Sequence, residues 1–488
     1  MSGFAQACGA FDAAAAERVL REVEDRKLER VRIAWCDVHG LLRGKTLMPS
    51  ALRAALQDGV GMVSTLMLKD TSDRTALKIF ERGALAGLPG FGPANNLLLL
   101  PDPASFRVLP WAPGTGWLQA QPWFDDATPV AIDPRRALQS ALALLADAGY
   151  GLKCGLEVEF HIYRIVDERL DPMAAGWPGE PPAVTMIHPG YQLLGEAHAD
   201  LADEPLAIVQ RTALALGLPL RSLEIELGPS QVEAVFDATD ALAAADQMVL
   251  FRNGVRQALR RAGYHASFVC RPPFPNVMAS GWHLHQSLVD RVGGGNAFMR
   301  SAHSAPAGAA NDARQVLSDT GAAWLAGLLA HARGASLCCT PTINGHGRFK
   351  PNAMAPTSVL WGRDNRGAML RVLGGAGDPA TRIENRCGEP MACPYLYIAS
   401  QIHAGLDGLR RGLVPPPATD LPYGSDDERL PADLGEAIAA FTADDALALG
   451  FGAPLVQVYA AIKRSELTRH DEAEDQDAWQ RREYFSRY

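Results

Sequence analysis

The chain has 488 residues and a formal net charge of −9, with 48% apolar and 21% charged residues, the balance of an ordinary globular protein with room for two domains and a large core. The acidic excess leaves no basic footprint for nucleic acid and no basic amphipathic face for a membrane surface, and no stretch approaches the apolar length of a membrane span. Small molecules and further copies of the chain are the expected partners.

Met1 to Ala16 is Ala-rich and lacks the charged start and long apolar run of a secretory signal, so a cytoplasmic protein is expected. The cysteines (Cys8, Cys36, Cys154, Cys270, Cys338, Cys339, Cys387 and Cys393) form neither C-x-x-C pairs nor zinc spacing, and are expected to be reduced and buried. A helix is predicted over 11–29, with Val19, Leu20, Val23 and Leu28 on its buried side. A strand at Arg30–Asp37 turns at His39-Gly40. A helix and strand near 49–68 and a strand at Asn96–Pro101 complete a small first domain that ends around Pro122–Pro129.

Asp133-Pro134-Arg135 reads as the cap and first turn of a helix running to Ala148. Beyond it, strands at 154–163, 219–227, 231–236, 264–271 and 281–289 mix with helices at 203–217, 240–263 and 316–334, the pattern of an α+β layer. Val166–Pro182, Arg291–Asp312 and Val414–Glu428 read as irregular segments. The triple glycine at Gly293 lacks the Gly-Lys-Ser/Thr end of a P-loop.

Chemistry gathers first at Gly155-Leu156-Glu157-Val158-Glu159-Phe160. Strand alternation points Glu157 and Glu159 to one face and Leu156, Val158 and Phe160 to the other. An isolated Glu-x-Glu is more often a solvated face, but here more acids follow. Glu226-Leu227-Gly228-Pro229-Ser230-Gln231-Val232-Glu233 sets two carboxylates either side of a turn, and Ser280-Gly281-Trp282-His283-Leu284-His285-Gln286-Ser287 puts His283, His285 and Ser287 on one face. A buried group of acids needs cations, and carboxylates without thiolates suit Mg²⁺ or Mn²⁺ better than Zn²⁺. The basic counterpart comes later, at Arg348, Arg363, Arg366, Arg371, Arg382 and Arg386, where planar forks can hold carboxylate or phosphate oxygens.

In these motifs the chain resembles the glutamine synthetase family almost end to end. They are G-x-E-x-E, E-x-G-x-x-Q-x-E, S-G-x-H-x-H-x-S-L, Leu317-Ser318-Asp319-Thr320-Gly321, Asn365-Arg366, and R-I-E-x-R followed by Pro394-Tyr395-Leu396. The resemblance implies an α+β fold with an N-terminal β-grasp domain (1–125) and a catalytic domain (126–488) whose curved antiparallel sheet holds two metals. It implies Glu159, Glu226 and Glu233 as ligands of one ion, and Glu157, His283 and Glu384 of the other. Arg348 matches the arginine on the α-carboxylate of glutamate. Arg366 and Arg386 match those on the transferred phosphate and the γ-carboxylate, while His285, Ser287, Arg366, Arg371 and Arg382 stand at nucleotide positions. The implied reaction uses ATP to form γ-glutamyl phosphate, which an amine attacks, with Arg366, Arg386 and Glu384 at the reacting groups. The family forms double rings, so a homo-oligomer is implied, a dodecamer of two stacked hexamers in which a neighbour's N-terminal domain completes each site.

Three departures from the ammonia-using members bear on the amine. Met62-Val63-Ser64-Thr65-Leu66-Met67-Leu68 replaces an Asp-Gly-Ser-Ser segment whose Asp helps bind ammonium, and Met354 stands where a flap glutamate precedes Ala-Pro. Met278-Ala279 replaces an Asn-Gly beside the glutamate amino group. Val63, Leu66 and Met354 would leave an apolar pocket in which ammonium is desolvated without compensation, and Tyr191 lines it too. The expected substrates are therefore glutamate and an apolar primary amine, aromatic such as aniline or a small alkylamine, with the γ-glutamylanilide synthetases as the branch most resembled. Glutamate–ammonia ligation is the alternative within the family, and a non-catalytic metabolite sensor the alternative of another class. Tyr423 falls near a segment adenylylated in some bacterial members, but its surroundings match poorly and that regulation is not carried over.

Overall fold

The computed structural model describes residues 3–10, 12–303, 308–351 and 353–488. Phe11 at the start of the first predicted helix, the middle of the 291–312 loop and Asn352 lie outside the described residues. Two sheets organise the chain. The first runs in the order Leu42–Leu47, Arg30–Cys36, Thr115–Trp123, Asn96–Pro101, Val60–Val63, with Arg107–Val108 also on Thr115–Trp123. Arg30–Cys36 and Thr115–Trp123 are parallel and the other pairs antiparallel. Helix Ala13–Asp25, capped by the Asp12 carboxylate on the amide of Ala15, buries Ala16, Val19 and Val23. It stops before the predicted end because Lys27 takes a left-handed conformation, and Leu28 packs from the following turn instead.

The second sheet has nine strands around Tyr150–Asp167. Along one edge of that strand lies Trp282–Asp290 and then Tyr264–Ser267, along the other Gln231–Asp240 and then Ala183–Met186. Leu220–Ile225 extends the sheet on one side, and Arg382–Asn385, Leu370–Leu373 and Trp361–Arg363 on the other. Only Trp361–Arg363 and Leu370–Leu373 pair in parallel within it. The central strand runs past the predicted end at 163 because Ala183–Met186 offers a partner there. The predicted strand 264–271 instead stops at Ser267, whose hydroxyl accepts the amide of Val269, while Asn344 accepts the amide of Arg271.

Leu156, Val158 and Phe160 are fully buried on the back of the sheet, where Phe160 stacks on Phe268 and meets Phe251 of helix Ala241–Arg261 edge-on. Each such side chain contributes about 1.5–3 kcal/mol of burial, enough to fix which face the intervening glutamates take. The two sheets are joined by buried polar ties. Arg252 donates to the carbonyls of Gly40 and Pro390, and Arg469 bridges Asp70 and Glu483. All eight cysteines are free; seven are buried and Cys8 is half-buried. No single helix among the described residues is long and apolar enough to cross a membrane.

The predicted helix 316–334 is two helices, Asp319–Ala330 and Ala332–Cys339, broken at His331. Its ring sits 2.8 Å from Asp407 and 2.9 Å from Asp444, and although burial opposes it, the two carboxylates raise its pKa. That stabilisation is complete below the unfolded value near 6.5 and is lost as pH rises through the raised folded value. Unfolding by urea between pH 6 and 9 should show stability falling as pH rises, and His331→Gln should flatten that decline by about 1–2 kcal/mol.

Candidate active site

Register across the second sheet assembles the site. Glu233 stands opposite Glu159, His283 opposite Glu157, and Glu384 opposite both His285 and Arg371. Five adjoining strands thus place on one face residues separated by more than two hundred positions in the chain.

At one end of this face, Glu159, Glu226 and Glu233 converge with little positive charge among them. Burial, and then the neighbouring Glu159 carboxylate, push Glu226 up to about 7 and raise Glu233 further. Glu159 is held from behind: the amide of Gly281 and the carboxamide of Gln231 donate to its Oε2 at 2.8 and 3.2 Å. Gln231 also donates to Ser280 and to the carbonyl of Ala279, and accepts the amide of Gly228. One side chain therefore fixes a carboxylate, a turn and the Met278–Ser280 segment together.

At the other end the charges are balanced. Glu157 lies 3.5 Å from Nδ1 of His283 and 2.9 Å from Nε2 of His285, and hydrogen bonding from these rings drives its pKa down despite burial. Glu384 is fully buried, 3.0 Å from Arg371 and 2.5 Å from Arg386, and its pKa falls because His283 and Arg386 outweigh desolvation. Asp364 supports Arg371 from the far side. Burial, and then Arg386, lower the pKa of His283, which favours the neutral imidazole that ligates metals.

The donor set fits divalent cations. Ligand atoms of Glu157, Glu233 and His283 lie within 4.8 Å of one another, as do those of Glu157, His285 and Glu384. Nδ1 of His285, however, accepts from Nε of Arg382 at 3.0 Å, so Nε2 carries the proton and is a donor, not a metal ligand. That leaves His283 as the imidazole of the site and Glu157 between its two ends. The crowded carboxylates at Glu226 and Glu233 have the charge that an ion would compensate.

A model of the glutamine synthetase catalytic domain matches residues 131–484. The chain belongs to the glutamine synthetase family. It is 39% identical to a γ-glutamylanilide synthase of an Acinetobacter species over 97% of this chain and 96% of that protein. It is 31% identical to a γ-glutamylethanolamide synthetase of Streptomyces coelicolor, covering 94% and 93%. A solved structure of GmaS without ligand superposes with a TM-score of 0.75 at 28% identity, covering 95% of this chain and 98% of that one. As a member of this family the chain is an ATP-dependent ligase that joins glutamate to an amine.

Against the family pattern, the fold brings together Glu157, Glu159, Glu226, Glu233, His283, His285, Glu384, Arg348, Arg371, Arg382 and Arg386. Arg348 is buried, donating to the carbonyls of Arg386 and Gly388 and reaching Nε2 of His283 at 3.4 Å. Ser287 lies two residues beyond His285 on the same face and is half-buried, and Arg366 is exposed on the turn before Leu370–Leu373. Met278 packs against Gly228, and Tyr191 spans the rim, its amide on the carbonyl of Leu227 and its hydroxyl on that of Asn276. Val63 and Leu66 are not brought to this face. Val63 pairs with Asn96 at the edge of the first sheet, and Leu66 packs in the turn that follows. Gln231 and Gly281 carry support roles that sequence reading passed over, though both stand inside the quoted motifs. A Cβ at Gly281 would fall 2.4 Å from the Arg348 guanidinium, so a larger residue there would displace that arginine.

Glu233→Gln removes one charge from the crowded end. Denaturant titration of the metal-free protein should show a higher midpoint, while Mn²⁺ affinity by calorimetry should fall by at least about tenfold, the scale that losing even a supporting partner carries. Unchanged Mn²⁺ affinity would remove Glu233 from the ligand set.

Proposed function

We propose that this ligase joins the γ-carboxylate of glutamate to an apolar primary amine, aromatic such as aniline or a small alkylamine, in amine catabolism in the cytoplasm. One observation carries the reading. Met354, 54% exposed on the flap before Ala355-Pro356, has its carbonyl 3.3 Å from Nη2 of Arg386, so the flap residue beside the γ-carboxylate arginine is thioether and not carboxylate. The resemblance to a γ-glutamylanilide synthase supports it, as does 28% identity to a glutamate–isopropylamine ligase of a Pseudomonas species over 91% of this chain.

In this reading Glu159, Glu226 and Glu233 would hold one Mg²⁺ or Mn²⁺, and Glu157, His283 and Glu384 a second. Such ions, when bound, neutralise phosphate oxygens of ATP. Arg348 holds the α-carboxylate of glutamate beside Met278 and Ala279. Nε of Arg386 is buried without a partner, a donor ready for a substrate oxygen. A γ-carboxylate oxygen attacks the γ-phosphorus of ATP and the bond to ADP breaks, while Arg366 and Arg386 stabilise the charge on the transferring group. His285, Ser287, Arg371 and Arg382 orient the nucleotide. The amine nitrogen then adds to the acyl carbon and phosphate leaves.

An aromatic amine is neutral at physiological pH and needs no carboxylate to take up its proton before attack. Ammonium would have to shed both its proton and its hydration against Met354, where the flap itself offers a thioether and no carboxylate to offset the cost. In a homo-oligomer of two stacked hexameric rings, as the family resemblance implies, Val63 and Leu66 would complete this pocket from a neighbouring subunit.

The test is phosphate release with ATP, glutamate and Mg²⁺, comparing ammonium, ethylamine, isopropylamine, putrescine and aniline, with the mass of each product checked. Aniline or a small alkylamine should turn over in preference to ammonium, and Met354→Glu should shift the kcat/KM ratio toward ammonium by about tenfold. A wild-type preference for ammonium would return the protein to ordinary glutamine synthesis.

A further inference from the structure

The segment Val414–Glu428 lies across the turn that carries Arg366. Pro416 accepts from the Trp361 indole at 2.7 Å, Thr419 and Asp420 accept from the Asn365 carboxamide at 3.3 Å each, and the amide of Val359 reaches Glu428. From this anchored segment Tyr423 turns inward, half-buried, and its hydroxyl donates to the carbonyl of Ala355 at 3.2 Å. Ala355 follows Met354, whose own carbonyl is held by Arg386. The ring covers Gly367, next to Arg366: a Cβ there would come within 3.2 Å of it and within 2.7 Å of Pro422. One side chain therefore touches both the flap and the phosphate-arginine turn.

We propose that Tyr423 is a positioning residue that clamps the Met354–Pro356 flap to the Arg366 turn and so keeps water from the activated glutamate until the amine arrives. The proposal rests on Met354 belonging to the flap over the reacting carboxyl, though not on which amine is used. Met354 has a left-handed backbone, φ 50°, a conformation costly for a residue with a side chain, so the flap needs outside ties to hold it. Arg386 supplies one and Tyr423 the other. The arginine tie is shared with Glu384 and is exposed to competition from substrate; the tyrosine tie is not. Burial holds the phenol pKa above its ordinary value although Arg386 and Arg348 act against it, so the hydroxyl stays a donor across the neutral range.

Without the clamp, water reaches the acyl carbon of γ-glutamyl phosphate, the bond to phosphate breaks, and glutamate is regenerated at the expense of ATP. The measurement is phosphate released per γ-glutamylamide formed at saturating ATP, glutamate and whichever amine the wild type uses best, ammonium included. Tyr423→Phe should raise that ratio about three- to tenfold, the weight of one hydrogen bond, with KM for ATP and glutamate within about twofold. Hydrogen exchange at the amides of 353–355 should quicken. Gly367→Ala, which pushes the ring from its other side, should uncouple likewise and serves where Tyr423→Phe does not fold. An unchanged ratio and unchanged exchange in a folded variant would overturn the clamp. Because the ratio is read with the best amine, the clamp stands or falls apart from the amine preference, which Met354→Glu tests.

Discussion

The repulsion among Glu159, Glu226 and Glu233 is the constraint on which the rest of the structure depends. Three carboxylates on one face of a sheet would be expelled into water if the strands were free to slip by one residue. They are not free, because the same slip would turn Leu156, Val158 and Phe160 out of the core. The apolar back of the sheet therefore does the electrostatic work of the front. Gly281 and Gln231 complete the restraint by tying Glu159 down with neutral donors, which hold its position without cancelling its charge. A lysine in place of Gln231 would relieve the repulsion and remove the reason for a cation to bind.

The opposite end of the face is built the other way. There Arg371, Arg386 and two histidines surround Glu157 and Glu384, so the charge balance is met within the protein. The gradient from uncompensated carboxylates to a basic wall runs along a single sheet. It orders the reactants, because uncompensated carboxylates call for a cation at one end, while the arginines beside Glu384 draw the phosphate and carboxylate of the substrates toward the other.

Local periodicity made the chemistry-bearing strands legible. Period-two alternation places Glu157 with Glu159 and His283 with His285, and the apolar alternates Leu156, Val158, Phe160, Trp282 and Leu284 form the buried back of the sheet. Pairings between distant strands were not legible: Arg371 beside Glu384, or the acceptance by His285 of a bond from Arg382, depends on which strand edges meet. Element ends failed where one residue overrode the pattern. Lys27 stopped a helix by its left-handed backbone, and His331 broke another because two aspartates from elsewhere in the chain claim its ring. Val63 and Leu66 were found by comparison with the family motif, and no contact among the described residues of one chain brings them to the carboxylates.

Arg386 is the point at which chemistry and specificity meet. Its Nη1 neutralises Glu384 and its Nη2 holds the flap carbonyl of Met354, which leaves Nε as the one donor without a partner. An anionic oxygen arriving at Nε meets a guanidinium already committed on two sides, and any shift of the fork toward it strains one of the existing bonds. Glu384 is fully buried and would then rest on Arg371 alone, so giving up Arg386 costs it a charge-assisted bond of about 1.5–3 kcal/mol in the interior. The neutral carbonyl of Met354 is the cheaper bond to give up. Filling the carboxylate subsite would then slacken the flap at the stage when the amine has to enter, and a second tie that substrate does not contest is what would keep the loosened flap from opening to water.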